Sequence, residues 1–184
     1  MIESSLFTLP GDHVPQPHGN CYWLVPGVIL AGEYPVAPDE PSSLERLQAI
    51  LGAGVTQFFD LTEPSELPAY STLLKLLAGK TGVEAVHVRH AVRDMSVPSR
   101  PKMRMILDEL ATAAAAGHCT YLHCWGGIGR TGTVVGCLLV DAGFSADDAI
   151  ALIASKWLVM EKRQWCPESP QTPEQFAFIR NWKA

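Results

Sequence analysis

Apolar positions along the chain fall into two rhythms. Short, nearly unbroken runs rich in aromatic and β-branched residues alternate with longer stretches in which Leu, Ile and Ala return every three or four positions. The first rhythm belongs to buried strands and the second to amphipathic helices. After an irregular lead-in over 1–20, rich in Pro, Gly and His, Tyr22-Trp23-Leu24-Val25 and Val28-Ile29-Leu30 read as two strands around Pro26-Gly27. Leu44, Leu47, Ile50 and Leu51 predict a helix capped by Ser42 or Ser43 and stopped by Gly52 and Gly54. A strand over 55–61, a helix over about 71–78 closed by Gly79, and a strand over 84–92 follow. Pro101 suits the first turn of a long helix that runs through the alanines to Gly117, and 120–123 is the next strand. Beyond a glycine-rich loop over 124–129, helical patterns cover about 131–142, 147–160 behind a Ser145 cap, and 173–182 behind a Thr172 cap.

Strands alternating with helices, then a helical last third, predict an α/β fold. The expectation is one domain over 1–184, with a mainly parallel central sheet and helices on both faces. Ligands of such sheets bind outside the carboxyl ends of the strands, and the loops beginning near Asp60, Asp94 and Cys124 all start at that edge. A chain of 184 residues needs no disulfide or metal to hold its core. With 47% hydrophobic and 18% charged residues it is globular and not disordered.

The net charge of −5 carries no basic excess, which argues against a nucleic-acid partner or a general binder of acidic membranes. An anionic ligand therefore requires a positive field made locally. Residues 1–5 lack a basic region followed by an apolar run, so no secretory signal is expected. The stretch 110–129 is free of Asp, Glu, Lys and Arg, but His118, Thr120, His123 and its glycines make a membrane span improbable. Five cysteines without a C-x2-C pair read as free thiols in a reducing cytoplasm. A cytoplasmic monomer without cofactor or metal is the expectation.

The chemistry concentrates in His123-Cys124-Trp125-Gly126-Gly127-Ile128-Gly129-Arg130-Thr131-Gly132. A cysteine leaves a buried strand, a loop with three glycines follows, and an arginine opens a helix. Glycines let successive N–H groups turn inward as an anion nest, and the helix N-terminus adds its positive end at the same point. Arg130 supplies a two-pronged donor for phosphate oxygens. That field is expected to favour the Cys124 thiolate, a nucleophile placed for in-line attack.

Three other readings fit less well. Gly127-x-Gly129-x-x-Gly132 matches a dinucleotide fingerprint, but the required second strand is replaced by another helix after Gly143. His118-Cys119 and His123-Cys124 stand ~16 Å apart along a strand, too far for one metal ion with bonds of ~2.0–2.3 Å. An inert packing cysteine leaves Arg130 unexplained.

The whole signature, His-Cys-x5-Arg-Thr-Gly, resembles the cysteine-dependent protein tyrosine and dual-specificity phosphatase superfamily. Arg-Asp-Met-Ser-Val-Pro-Ser around Asp94 is similar to that family's general-acid loop, and Gln171-Thr172-Pro173-Glu174-Gln175 to the glutamine motif of the tyrosine phosphatases. The resemblance implies a phosphatase-like fold and a phosphocysteine intermediate on Cys124. It implies that Arg130 and the loop amides of Trp125, Gly126, Gly127, Ile128, Gly129 and Arg130 hold the phosphoryl oxygens. Asp94 becomes general acid and then base, with Asp60 as its rival. Thr131 donates a hydrogen bond to the Cys124 sulfur, and His123 orients the loop. Gln171 and Gln175 would position the attacking water, although Thr172-x-x-Gln175 with Pro173 also reads as a plain capping box. Arg93 guides substrate or solvates its loop.

No second charge lies between Cys124 and Arg130, which suits a monophosphate ester: phosphotyrosine, or phosphoserine and phosphothreonine, on protein. Trp23, Tyr34, Tyr70 and Trp125 are candidates for an aromatic wall. An inositol phosphate or phosphoinositide is the alternative substrate. Two other classes are a phosphate-recognising module without turnover and a thiol redox enzyme pairing Cys124 with Cys21 or Cys166; Cys119 is too far along its strand. The segment Ala31-Gly32-Glu33-Tyr34-Pro35 has a distinctive composition to which the pattern assigns no role.

Overall fold

The structure, a computed structural model, describes residues 2, 4–7, 14–37 and 39–183. Five strands, β1 (Cys21–Val25), β2 (Ile29–Gly32), β3 (Val55–Asp60), β4 (Val86–Arg89) and β5 (Cys119–His123), form one sheet in the order β1-β2-β5-β3-β4. The β1–β2 hairpin is antiparallel and every other pairing is parallel. Six helices accompany the sheet: α1 (Glu40–Gly52), α2 (Ser71–Thr81), α3 (Arg100–Ala115), α4 (Gly129–Asp141), α5 (Ala146–Trp157) and α6 (Pro173–Arg180).

Handedness distributes these helices. The steps β2→α1→β3 and β3→α2→β4 move one way across the sheet, and β4→α3→β5 moves back. Right-handed crossovers of opposite direction put their helices on opposite faces. Accordingly Leu47, Ile50, Leu74 and Leu77 of α1 and α2 pack with Trp23, Leu30, Phe58 and Tyr121 on one side. Met103, Ile106, Val134, Val135, Ile153 and Ile179 of α3 to α6 pack with Tyr22, Ala31, Phe59 and Leu122 on the other. Successive strand residues thus feed two cores, which is why the strands read as continuous apolar runs.

Several boundaries differ from the sequence expectation. Helix α1 is capped by Asp39, whose Oδ1 accepts from Ser42 N at 2.9 Å, with Pro41 in the first turn. Ser43 instead turns inward and donates to Asp39 O. Helix α2 continues through Gly79 to Thr81 and stops at Gly82, the residue that adopts φ +70°. A glycine ends a helix when the backbone turns left-handed, not by its presence alone. Strand β4 is half the expected length, α4 begins two residues early at Gly129, α5 ends at Trp157 and α6 at Arg180.

The lead-in is also less irregular than its composition suggests. Ser4–Leu6 form a 3-10 turn, and Phe7 is buried against Phe144 with ring centroids 6.2 Å apart. Gly19 O and the Asn20 side chain accept from the amides of Glu161 and Lys162. Residues 8–13, part of the same expectation, lie outside the described residues. Among the described residues no helix is long and apolar enough to cross a membrane.

Candidate active site

The strand registers align Gly32, His123, Asp60 and Arg89 in one row at the carboxyl edge of the sheet. The chains leaving β3 and β5 turn to opposite faces, into α2 and α4, and open a crevice between them. Cys124, 3% exposed, is the first residue beyond β5 in that crevice.

The loop from Cys124 to Gly129 is held from outside by its carbonyls. His123 Nδ1 donates to Cys124 O at 3.3 Å, Tyr34 N to Trp125 O at 2.8 Å, and Lys162 Nζ to Gly126 O at 3.2 Å. Ser169 Oγ donates to Ile128 O at 2.9 Å and Thr133 Oγ1 to Gly129 O at 2.7 Å. Ile128 is buried among the core residues, whereas Trp125 is 56% exposed at the mouth. Among the described residues no acceptor binds the amides of Trp125 to Arg130. A loop with five of its six carbonyls occupied and its amides free is an anion nest.

The segment Ala31–Pro35, unassigned from sequence, is the shelf under this loop. Gly127 has φ +72°, and a Cβ there would come within 2.5 Å of the Gly32 carbonyl oxygen. A Cβ on Gly32 would meet the Tyr121 hydroxyl, which donates to Glu33 O at 2.6 Å. Two glycines therefore let the backbones touch. Glu33 also pairs with Lys162 at 2.5 Å and with Arg46 at 2.7 Å.

Arg130 is almost fully buried. Its Nη1 donates to Glu66 Oε2 at 2.8 Å and Val92 O at 3.0 Å, and its Nη2 to Glu66 Oε1 at 2.7 Å. Asp94 Oδ1 lies 3.0 Å from the same Nη2, while the buried Nε has no partner among the described residues. Burial works against the guanidinium charge, but the Glu66 hydrogen bonds and the fields of Cys124, Glu66 and Asp94 prevail and hold its pKa above the ordinary value. Burial likewise raises the Glu66 carboxyl, and the Arg130 hydrogen bonds and field together with the Glu63 amide more than reverse this. The two loops that deliver carboxylates to Arg130 each carry a non-glycine residue at positive φ, Ser65 at +67° and Met95 at +59°. Such conformations cost of order 1–3 kcal/mol and persist where surrounding contacts impose them.

Asp60, the rival acid, is fully buried and saturated. Oδ1 accepts from the Thr62 amide and hydroxyl, and Oδ2 from His87 Nε2 and from Nε and Nη2 of Arg89. Burial raises its pKa, but the His87 bond, the His123 field and the Thr62 and Arg89 bonds push it far below the usual carboxylate range. A carboxylate locked in its ionised form has no proton to give. Asp94 differs, with its side chain 48% exposed beside Arg130.

His123 is buried, which pushes its pKa down to about 4 against the opposing field of Asp60. The neutral ring donates through Nδ1 to Cys124 O, so Nε2 accepts from the Tyr70 hydroxyl at 2.6 Å. Both nitrogens are spent on position. The Thr131 hydroxyl is buried without a partner among the described residues, so the expected bond to the Cys124 sulfur is not made in this arrangement.

The two glutamines part company. Gln175 is fully buried: Oε1 accepts from the amides of Gln171 and Thr172, and Nε2 donates to Ser96 O. Gln171 is exposed and lines a groove of about 640 Å³ between α5 and α6 with Ile150, Ala154 and Phe176. Its backbone, not its side chain, joins the Gln175 network. Glu66, Lys162 and Ser169 are the site residues that sequence reading missed, and Tyr70, a candidate for an aromatic wall, is instead buried against His123. None sits in a motif, and the one available signal was that Glu66 follows a strand ending at the ligand-binding edge.

The profile of the family described as "PTP-SAK: Swiss Army Knife protein, DSP-PTPase phosphatase domain" matches residues 18–181. Over 150 residues, 76% of the chain, the sequence is 28% identical to "Putative tyrosine phosphatase 067L" of Invertebrate iridescent virus 3. The matched chain spans 58% of the length of that viral relative. The fold is similar to that of Tk-PTP in its active form, at 23% identity and TM-score 0.64, over 89% of this chain and 95% of the other. It is similar also to kinase associated phosphatase with its catalytic cysteine replaced by serine, at 18% identity and TM-score 0.66, over 88% and 91% of the two chains.

Proposed function

Because the chain belongs to the DSP-PTPase phosphatase domain family, we propose that it is a cysteine-dependent phosphomonoesterase acting on phosphotyrosine, or on phosphoserine and phosphothreonine, in proteins. The observation that carries this reading is the loop in which five of the six carbonyls from Cys124 to Gly129 are engaged while its amides and Arg130 Nε keep no protein acceptor among the described residues. Donors so arranged suit the equatorial oxygens of a transferring phosphoryl group.

In the first step the Cys124 sulfur attacks phosphorus in line. The S–P bond forms, the ester P–O bond breaks, and Asp94 gives its proton to the departing oxygen. In the second step water attacks the phosphocysteine and gives its proton to the Asp94 carboxylate. The S–P bond breaks and the thiolate returns, with Thr131 as its hydrogen-bond donor. Glu66 holds Arg130 in plane through both steps, and His123 with Tyr70 holds the start of the loop.

Cations near the loop are already paired, Arg130 with Glu66 and Asp94, Lys162 and Arg46 with Glu33, Arg89 with Asp60. A second phosphate on the substrate would find few free charges, which favours a monophosphate ester over a polyphosphorylated headgroup. Arg93, exposed beside Asp94, is left for the peptide that flanks the phosphate. On this reading the protein acts as a single phosphatase domain, a cytoplasmic monomer with its five thiols free and no cofactor.

The test is phosphate release from a phosphotyrosine peptide, a phosphothreonine peptide, a phosphoinositide and inositol hexakisphosphate, with Cys124→Ser as the blank. Cysteine-dependent turnover of either peptide supports the proposal. Preference for the phosphoinositide moves the substrate to lipid. Tight phosphopeptide binding without turnover makes the protein a recognition module.

A further inference from the structure

We infer that Gln175 is a positioning residue that clasps the Asp94 loop to the glycine loop. This rests on the reading of Asp94 as the general acid. The orientation of the Gln175 amide is set by its partners: Oε1 accepts from Gln171 N at 3.0 Å and Thr172 N at 3.1 Å. The atom facing Ser96 O at 3.1 Å is therefore the Nε2 donor. Ser96 follows Asp94 by two residues and closes a turn by donating its own amide to Arg93 O at 3.2 Å. On its other side the carboxamide lies flat on the start of α4, where a Cβ on Gly129 would come within 2.7 Å of Nε2. One fully buried side chain thus joins the segment before α6, the Asp94 loop, and the residue preceding Arg130.

Such a tether has a specific use. Met95, between Asp94 and Ser96, is held at φ +59°, a conformation that relaxes unless neighbours impose it. In the resting arrangement the Asp94 carboxylate is itself restrained by its contact with Arg130 Nη2. Phosphate oxygens compete for that same donor, so the contact weakens when the acid is needed. The Gln175–Ser96 bond involves no group that substrate engages and keeps Asp94 near the leaving oxygen. With both lone pairs of Oε1 taken by backbone amides, Gln175 is also poorly equipped to accept from a hydrolytic water. A role in positioning water and a role in positioning the acid predict different kinetics.

The experiment compares kcat/KM for phenyl phosphate, a poor leaving group, with that for p-nitrophenyl phosphate, a good one. Because kcat/KM reports steps up to thiol phosphorylation, it isolates the step that needs the acid. Gln175→Met fills the space without a donor. Gln175→Glu keeps the helix-capping acceptor and at neutral pH lacks the donor. Asp94→Asn is the reference for loss of the acid, and Thr172→Ala weakens the same helix cap while leaving the clasp.

Both Gln175 variants are expected to lose ~10-fold more kcat/KM on phenyl phosphate than on p-nitrophenyl phosphate, in the direction of Asp94→Asn, and Thr172→Ala to show no such bias. Equal losses on both substrates overturn the clasp. So does an unchanged kcat/KM with lowered kcat and a burst of phenol, which assigns Gln175 to water attack. If Asp94→Asn itself shows no leaving-group bias, the acid assignment falls and the clasp with it. If Asp94→Asn shows the bias and the Gln175 variants do not, only the clasp is overturned.

Discussion

The glycine loop and the Asp94 loop meet at Arg130 and are held by opposite means. The first is fixed along its length, with five carbonyls bound by groups from β2's exit, β5, α4 and the 162 and 169 segments. The second exposes Arg93, Asp94 and Met95 and, beyond Val92, is tied among the described residues by one ion pair and one clasping hydrogen bond. A nest of amides works only if its dipoles do not reorganise, so rigidity serves it. An acid that must reach both a leaving group and a water gains from a loop with few tethers. Asp60 and Asp94 repeat the contrast in single residues. One carboxylate is saturated by Thr62, His87 and Arg89; the other is half exposed beside Arg130, as the proposed acid requires.

The largest effect that tests this contrast belongs to the rigid side. Cys124→Ser is expected to abolish phosphate release, and Arg130→Lys, which loses the two-pronged fork, to lower kcat by at least ~10³-fold while the protein stays folded by circular dichroism. Next come the two aspartates. Asp94→Asn is expected to cost ~10²-fold in kcat/KM for poor leaving groups, with little change in melting temperature. Asp60→Asn should instead lower stability by about 2–4 kcal/mol in denaturant unfolding, because Arg89 and His87 lose their shared anion. A reversal of that pattern would break the comparison.

Glu66→Gln sharpens it on a smaller scale. One amide N–H then faces an Arg130 N–H, and a roughly 10-fold loss in kcat/KM is expected, measured on p-nitrophenyl phosphate, where the acid matters least. The smallest effect is a pH dependence of stability. His123 is held down to about 4 in the fold, so the unfolded chain takes up its proton first as pH falls from about 6.5. Its share of stability is full above that value and is lost through the window down to about 4, amounting to about 1 kcal/mol near pH ~5.5. Denaturant melts across that window should show the loss, and His123→Asn should remove it. His18, lowered to about 3 by burial, contributes a similar slope that remains.

Much of the fold was legible because strands buried on both faces must be apolar throughout and helices must recur every three to four residues. The ends of elements were less so. Gly79 and Gly82 look alike in sequence, yet the helix runs past the first and turns at the second, where the amides of Gly82 and Val83 both donate to Ala78 O. Asp39 was overlooked as a cap, although Pro41 in the first turn calls for a capping residue just before it. For the candidate site, Cys124, Arg130 and the glycines between them form a contiguous segment whose local geometry the residue types dictate.

The sequence by itself determined the alternation of strands and helices and the glycine loop between Cys124 and Arg130, since each follows from residues close together in the chain. Tertiary structure alone decided which of two aspartates is buried and saturated and which is exposed beside Arg130, that Glu66 pairs with Arg130, and that Ala31–Pro35 is a shelf for Gly127. It also turned Gln175 toward Ser96 and Gln171 toward solvent. Those outcomes depend on burial and on partners dozens of residues away, and no local pattern encodes the distance between side chains that the sheet brings to one edge.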